Sequence, residues 1–177
     1  MLAAFTTLCV LAVGVVGGIL VGVSLSLLGL ISRLSHPPDA ILSEVPGHGF
    51  HDLGAKPPGQ SLPGLIAYRF YAPLLFFNAG TFVAHVRGII AASPTPVRWF
   101  LLDAQAITDI DVTAAEALQT LYHELKKKGI ALKIAHANPP LRQILARIDL
   151  GREIRPEGFF SSVHECVEAF KAGKHEA

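Results

Sequence analysis

No aspartate, glutamate, lysine or arginine occurs before Arg33, so Met1 to Ser32 carries no charged side chain. The run is built from Leu, Val, Ala, Gly and Ile with a few small hydroxyl residues. As one helix it would reach roughly 48 Å at about 1.5 Å per residue. A bilayer core is about 30 Å thick and roughly 20 residues cross it. The run therefore predicts a membrane segment, either one tilted helix or two short ones. Gly14, Gly17 and Gly18 supply a break point, because glycine weakens a helix interior by about 1 kcal/mol relative to alanine. Gly14, Gly18 and Gly22 recur at four-residue spacing, which lets a neighbouring helix approach closely. A secretory signal would show a basic start and an apolar stretch of about 7–15 residues, and this run has neither. Arg33 comes directly after it and, by the excess of basic residues on the inner side of membranes, places the rest of the chain in the cytoplasm. The expected setting is the inner (plasma) membrane, with lipid and other transmembrane helices as partners.

The chain beyond Ser32 is the size of one domain. The net charge of +1 gives no nucleic-acid surface. Lys126, Lys127 and Lys128 form the one basic run, and at a helix end it complements the dipole. Cys9 and Cys166 make no disulfide framework. Pro37-Pro38, Pro46-Gly47, Pro57-Pro58-Gly59 and Pro63-Gly64 mark 33–63 as an irregular connector, with at most a short strand at Ala40 to Val45. His48-x-x-His51 lies in it without a second ligand pair, so no metal site is expected. The expected organisation is a membrane segment at 1–32, the connector at 33–63, a folded domain at 64–173 and a tail at 174–177.

Beyond Gly64 the apolar pattern becomes regular. Leu65 to Phe70 reads as a strand, and Ala72-Pro73 turns it into a second at Leu74 to Phe77. Asn78 is expected to cap a helix with Phe82, Val83, Val86, Ile89 and Ile90 at helical spacing. Val97 to Leu102 is the most apolar strand. A helix over 113–128 puts Leu118, Leu121 and Leu125 on one face and stops at Gly129. Ile130 to Ala135 is the next strand. Asn138-Pro139-Pro140 opens a helix, a short strand is expected near Ile154, and Ser162-x-x-Glu165 caps the last helix. Strands alternating with helices predict an α/β fold: four to five mostly parallel strands with about four helices.

The distinctive segment is Asp103-Ala-Gln-Ala-Ile-Thr-Asp-Ile-Asp-Val-Thr-Ala-Ala-Glu-Ala-Leu118, between the strongest strand and the next helix. It resembles the motif loop of STAS domains, which carry Asp-Ser-Ser/Thr-Gly where a helix opens after a strand. Asp111-Val112-Thr113-Ala114 stands at that place, with Asp109 before it. The apolar run ending in Leu-Ser-Leu-Leu-Gly-Leu-Ile-Ser-Arg33 is similar to the last membrane helices of SulP-family anion permeases. So are Ala40-Ile-Leu-Ser-Glu-Val-Pro-Gly47 and the blocks from Pro63 to Ala79. The chain is thus identified as similar to the C-terminal part of a SulP permease, last membrane helices plus STAS domain.

The resemblance implies a regulatory or interaction module of a sulfate or related anion transporter, docked on a permease core or a second copy. The isolated piece would not transport, because no inverted pair of half-helices is present to hold an anion. In anti-sigma-factor antagonists the second hydroxyl residue of the motif is phosphorylated, and Thr113 matches it. The residues by themselves leave Thr113 open between phospho-acceptor and helix N-cap, with Thr113-x-x-Glu116 as capping box. Alternatives to the permease module are a membrane-tethered switch for a regulatory protein, and a nucleotide or small-anion sensor using the crevice at the carboxyl ends of the strands. No enzyme is expected: phosphate-loop, nucleophile-elbow and zinc-helix motifs are absent, and His85, His123, His136 and His164 share no spacing. No cofactor is expected either.

Overall fold

The computed structural model describes residues 2–45, 49–52 and 62–173. It divides into two units, Met1–His36 and Pro37–Ala177. In the first, helix α1 (Leu2–Ser35) is interrupted at Gly14, whose φ of 84° and ψ of 170° are non-helical. Glycine reaches that geometry without a Cβ clash. The stretch Gly14–Ser35 is long and apolar enough to cross a bilayer. Along it Val16, Leu20 and Leu28 are exposed, as suits side chains that would meet lipid rather than a protein core.

The second unit is one layered α/β fold. Its elements are β1 (Asp39–Val45), β2 (Gly49–Asp52), β3 (Leu65–Phe70), α2 (Phe76–Ala91), β4 (Trp99–Asp103), α3 (Val112–Lys127) and β5 (Ala131–Ala135). There follow α4 (Pro139–Arg147), α5 (Leu150–Ile154), a 3-10 turn (Pro156–Gly158), β6 (Phe159–Phe160) and α6 (Val163–Lys171). The described strands form one sheet in the order β2-β1-β3-β4-β5-β6. β1 pairs antiparallel with both β2 and β3, and the remaining pairings are parallel.

Side chains alternate between the two faces of a strand, and that alternation sorts the core. Tyr68, Phe70, Phe100, Leu102 and Ile134 meet Phe82, Val86, Leu118 and Leu121 in one cluster. Phe82 packs edge-on to Phe70 at 5.4 Å and tilted to Tyr68 at 6.0 Å between ring centroids. Trp99, Leu101 and Ala135 face the other way and are covered by Val163, Val167 and Phe170 of α6. β4 is the centre of both layers, with all its residues buried.

The fold departs from the sequence-based expectation in four places. The stretch 33–63 is not merely a connector, because β1 and β2 lie in it and bring the sheet to six strands. The short strand expected at Ala40 to Val45 is β1, which covers the edge of β3, and β2, which was not expected, pairs with it on the far side. Residues 74–77 are not a strand. Leu74 makes a single bridge to Ile110, and the chain then turns into α2, where the Asn78 carboxamide accepts from Leu75 N–H at 2.9 Å. Asn78 is therefore inside the first turn and not its leading residue. Near Ile154 there is a short helix, and the strand comes later at Phe159–Phe160. The fourth departure is at the start of α3, where Asp111 rather than Thr113 is the N-cap. The tail 174–177 and His48 lie outside the described residues.

Candidate functional site

The carboxyl ends of β3, β4 and β5 are held by charge. In register, Arg69 stands beside Asp103 and Asp103 beside Ala135. The Asp103 side chain is fully buried. Its Oδ2 accepts from Arg69 Nε at 2.8 Å and Nη2 at 2.5 Å. Its Oδ1 meets His136 Nδ1 at 2.9 Å and accepts from Gln105 N–H at 3.1 Å. A buried carboxylate is tolerated because both its oxygens are hydrogen-bonded and paired with charge. Burial works against the Arg69 charge, but the Asp103 hydrogen bond and charge outweigh it and raise the guanidinium above its ordinary value. His136 holds its place with a left-handed φ of 54°.

The loop from Ala104 to Asp111 is then stitched to its neighbours. Asn138 donates to the Ile107 carbonyl at 2.9 Å. Leu74 N–H donates to the Asp109 carbonyl and Asp111 N–H to the Leu74 carbonyl. The side chain of Asp109 only closes a local contact, accepting from Ile110 N–H. Asp111 does more. Its Oδ1 accepts from Ala114 N–H at 2.8 Å and caps α3, while its Oδ2 accepts from Phe76 N–H at 2.7 Å in the first turn of α2. One carboxylate thus satisfies free N–H groups of two helices, whose dipoles favour a negative charge there.

Thr113 is not the N-cap. It is the second residue of α3, exposed, and among the described residues its hydroxyl has no hydrogen-bond partner. Glu116 is exposed and makes no capping box with it. Asp111 outcompetes Thr113 because it sits one step before the first helical residue with extended backbone, where a carboxylate reaches the third N–H. Ala114 is buried at the position of the motif's glycine, and its Cβ is accommodated.

The result is a paired helix edge. Phe76 and Val112 are the first residues of α2 and α3, and they are 67% and 65% exposed. Of the large apolar side chains described in 37–173, only Ile41 joins them in being exposed. Arg69, His136 and Phe76 were not singled out from sequence as site residues. The lone arginine within Leu65-Ile-Ala-Tyr-Arg-Phe70 was the available signal for the first. From β3 to β6 each strand lies next to its predecessor, so strand order does not reverse and the ligand crevice of doubly wound sheets is not generated. The two histidine–carboxylate contacts at Asp39 and Asp103 bridge structural elements. No group of three or more metal-ligating side chains occurs among the described residues.

The family model for the STAS domain matches residues 57–166. The chain belongs to the STAS-domain family, and sulfate transporters are among its relatives. A probable sulfate transporter of Mycobacterium tuberculosis is 38% identical over 97% of this chain, which spans only 31% of that relative. Among solved structures, the murine Solute Carrier 26 family member A9 anion transporter matches with a TM-score of 0.73 at 20% identity, over 88% of this chain and 25% of that one. The STAS domain of a SulP transporter from Vibrio cholerae gives 0.51 at 18%, over 66% and 88% of the two chains. The unphosphorylated anti-sigma factor antagonist SpoIIAA gives 0.51 at 12%, over 64% and 93%. These structural likenesses concern the fold.

Proposed function

We propose that this chain is the regulatory and interaction module of a SulP-type transporter of sulfate or a related anion. In this reading α1 is anchored in the inner membrane, the unit from Pro37 onward lies in the cytoplasm, and the chain alone does not transport. The observation that carries it is the α2/α3 edge: Asp111 fixes two helix starts so that Phe76 and Val112 project together into solvent. Exposed apolar side chains on a rigid, hydrogen-bonded platform suit a protein contact. The kinship with sulfate transporters supplies the partner class.

The test is sulfate uptake into proteoliposomes. The chain alone should give none. Co-reconstituted with the membrane part of a SulP permease lacking its own STAS domain, it should change the uptake rate. Phe76→Glu with Val112→Glu should abolish that change while leaving thermal stability intact. Uptake by the chain alone, or full modulation by the double variant, would overturn the reading.

A second reading is favoured by Thr113 itself. Its hydroxyl is exposed, uncommitted and close to two helix N-termini, where a phosphate of about −1.5 to −2 charges is electrostatically welcome. Phosphorylation there would place charge between Phe76 and the partner. Intact mass of the chain purified from its host reads this directly, and an unmodified mass under all growth conditions rejects it.

A further inference from the structure

Around Phe76 and Val112 the fixed charges are all of one sign. The stretches from Tyr71 to Val86 and from Ala104 to Tyr122 hold most of α2, the loop before α3 and the first part of α3. Neither contains a lysine or arginine, while Asp109, Asp111 and Glu116 all fall there. The whole chain carries 15 Lys and Arg against 14 Asp and Glu, so this edge is a local segregation of charge and not a consequence of composition. Glu116 follows Val112 by one turn on the same face of α3. Asp109 lies just before it, in the loop whose backbone bonds to Leu74 beside Phe76.

The cations of the neighbouring elements are committed elsewhere. Arg69 donates to Asp103, and Arg87, further along α2, donates to Glu124. Arg142 donates to the Ala137 carbonyl, and its guanidinium lies 5.0 Å from the centre of the Phe159 ring. Asp109 and Glu116 are exposed, and among the described residues neither has a cation at ion-pair distance. The helix starts do not absorb their charge either. Asp111 already holds the N–H groups of Phe76 and Ala114, and the pull of a helix dipole fades within its first turn. Next to these carboxylates the rings of Phe76 and Phe77 pack edge-on, 5.2 Å between centroids, and extend the apolar surface that Val112 continues.

On the reading that the α2/α3 edge is a protein contact, on which this rests, we infer that its partner is a basic segment carrying apolar side chains. Its lysines or arginines pair with Asp109 and Glu116, and its apolar side chains cover Phe76 and Val112. Cytoplasmic loops of membrane proteins have that chemistry, since they carry an excess of Lys and Arg. The same carboxylates repel an anionic lipid surface or a nucleic acid, so the charge on this edge selects among partners as well as attracting one.

The test uses the full chain in a neutral detergent and a fluorescently labelled peptide of Lys-Phe-Gly repeats, with Glu-Phe-Gly and Lys-Ser-Gly repeats as counterparts. Anisotropy is read against the same detergent without protein. The Lys-Phe-Gly peptide should bind saturably and at least about tenfold more tightly than either counterpart. Its binding should weaken as salt rises from about 0.1 M to about 1 M, where the screening length falls from about 10 Å to about 3 Å. Asp109→Lys with Glu116→Lys, which leaves Phe76 and Val112 in place, should weaken it at least about tenfold and admit the Glu-Phe-Gly peptide. Should that variant fail to fold, Asp109→Asn with Glu116→Gln carries the comparison, with an expected loss of about threefold. Absence of saturable binding, equal binding of the two phenylalanine peptides, or unchanged affinity in the folded variants would overturn the assignment. The same charge reversal in the uptake assay separates the two claims. Full modulation by the reversed chain removes the basic partner and leaves the contact standing, whereas peptide selectivity without any uptake effect of the parent removes the permease reading and keeps the preference of the edge.

Discussion

Replacing Asp111 by alanine is the perturbation that most directly tests how the edge is built. The carboxylate accepts from Ala114 N–H at 2.8 Å and from Phe76 N–H at 2.7 Å. Loss of an N-cap costs typically about 1 kcal/mol. Loss of the second bond adds about 1 kcal/mol, the usual net worth of one hydrogen bond. Together these give about 2 kcal/mol. With a urea slope of about 2 kcal/mol per molar, the midpoint should fall by about 1 M. Trp99, at the start of β4 in the folded unit, provides the fluorescence signal for the transition in detergent. Asp111→Asn should lose about half as much, because asparagine caps α3 equally well and only the bond to Phe76 suffers. Thr113→Ala should change stability by less than about 0.5 kcal/mol, since an exposed, unbonded second residue is being replaced by a better helix former. A midpoint for Asp111→Ala equal to that of the parent, or a Thr113→Ala loss as large as that of Asp111→Ala, would refute the account of the cap.

Two further outcomes concern the interior. Asp103→Ala leaves Arg69 and His136 without their shared buried partner, and should cost about 3 kcal/mol by urea denaturation, the low end for breaking a buried pair because Arg69 reaches solvent. Burial pushes the Cys166 thiol up to about 12 from 9.0. The unfolded chain therefore ionises first as pH rises, so stability is full below about 9 and declines between about 9 and about 12. Cys166→Ala should flatten that decline in a pH series of urea midpoints, and thiol labelling of Cys166 at pH 8, with Cys9 replaced by alanine, should proceed only as fast as unfolding.

Composition along the chain was sufficient to separate the uncharged N-terminal helix from the unit that follows it, because charge exclusion is a local property that needs no folding to be read. The helix stripes were equally local: Leu118, Leu121 and Leu125 lie on the buried face of α3, and Asn138 before two prolines does start α4. The motif between Asp103 and Ala114 does lie in the loop that opens α3. It could not reveal which residue does what. Asp111 rather than Thr113 is the cap because Asp111 also meets Phe76, a residue thirty-five positions away in sequence that only the folded sheet brings near. Asp103 was only the first residue of the distinctive segment, and it became the buried partner of Arg69 and His136 once three parallel strands aligned their ends. The same holds for β2, which lies in the proline- and glycine-rich stretch read as a connector and finds its backbone partners only on β1, the strand expected at Ala40 to Val45. Periodicity and charge are written residue by residue, whereas hydrogen-bond partners are chosen by distance, and distance between remote residues exists only after the chain has packed.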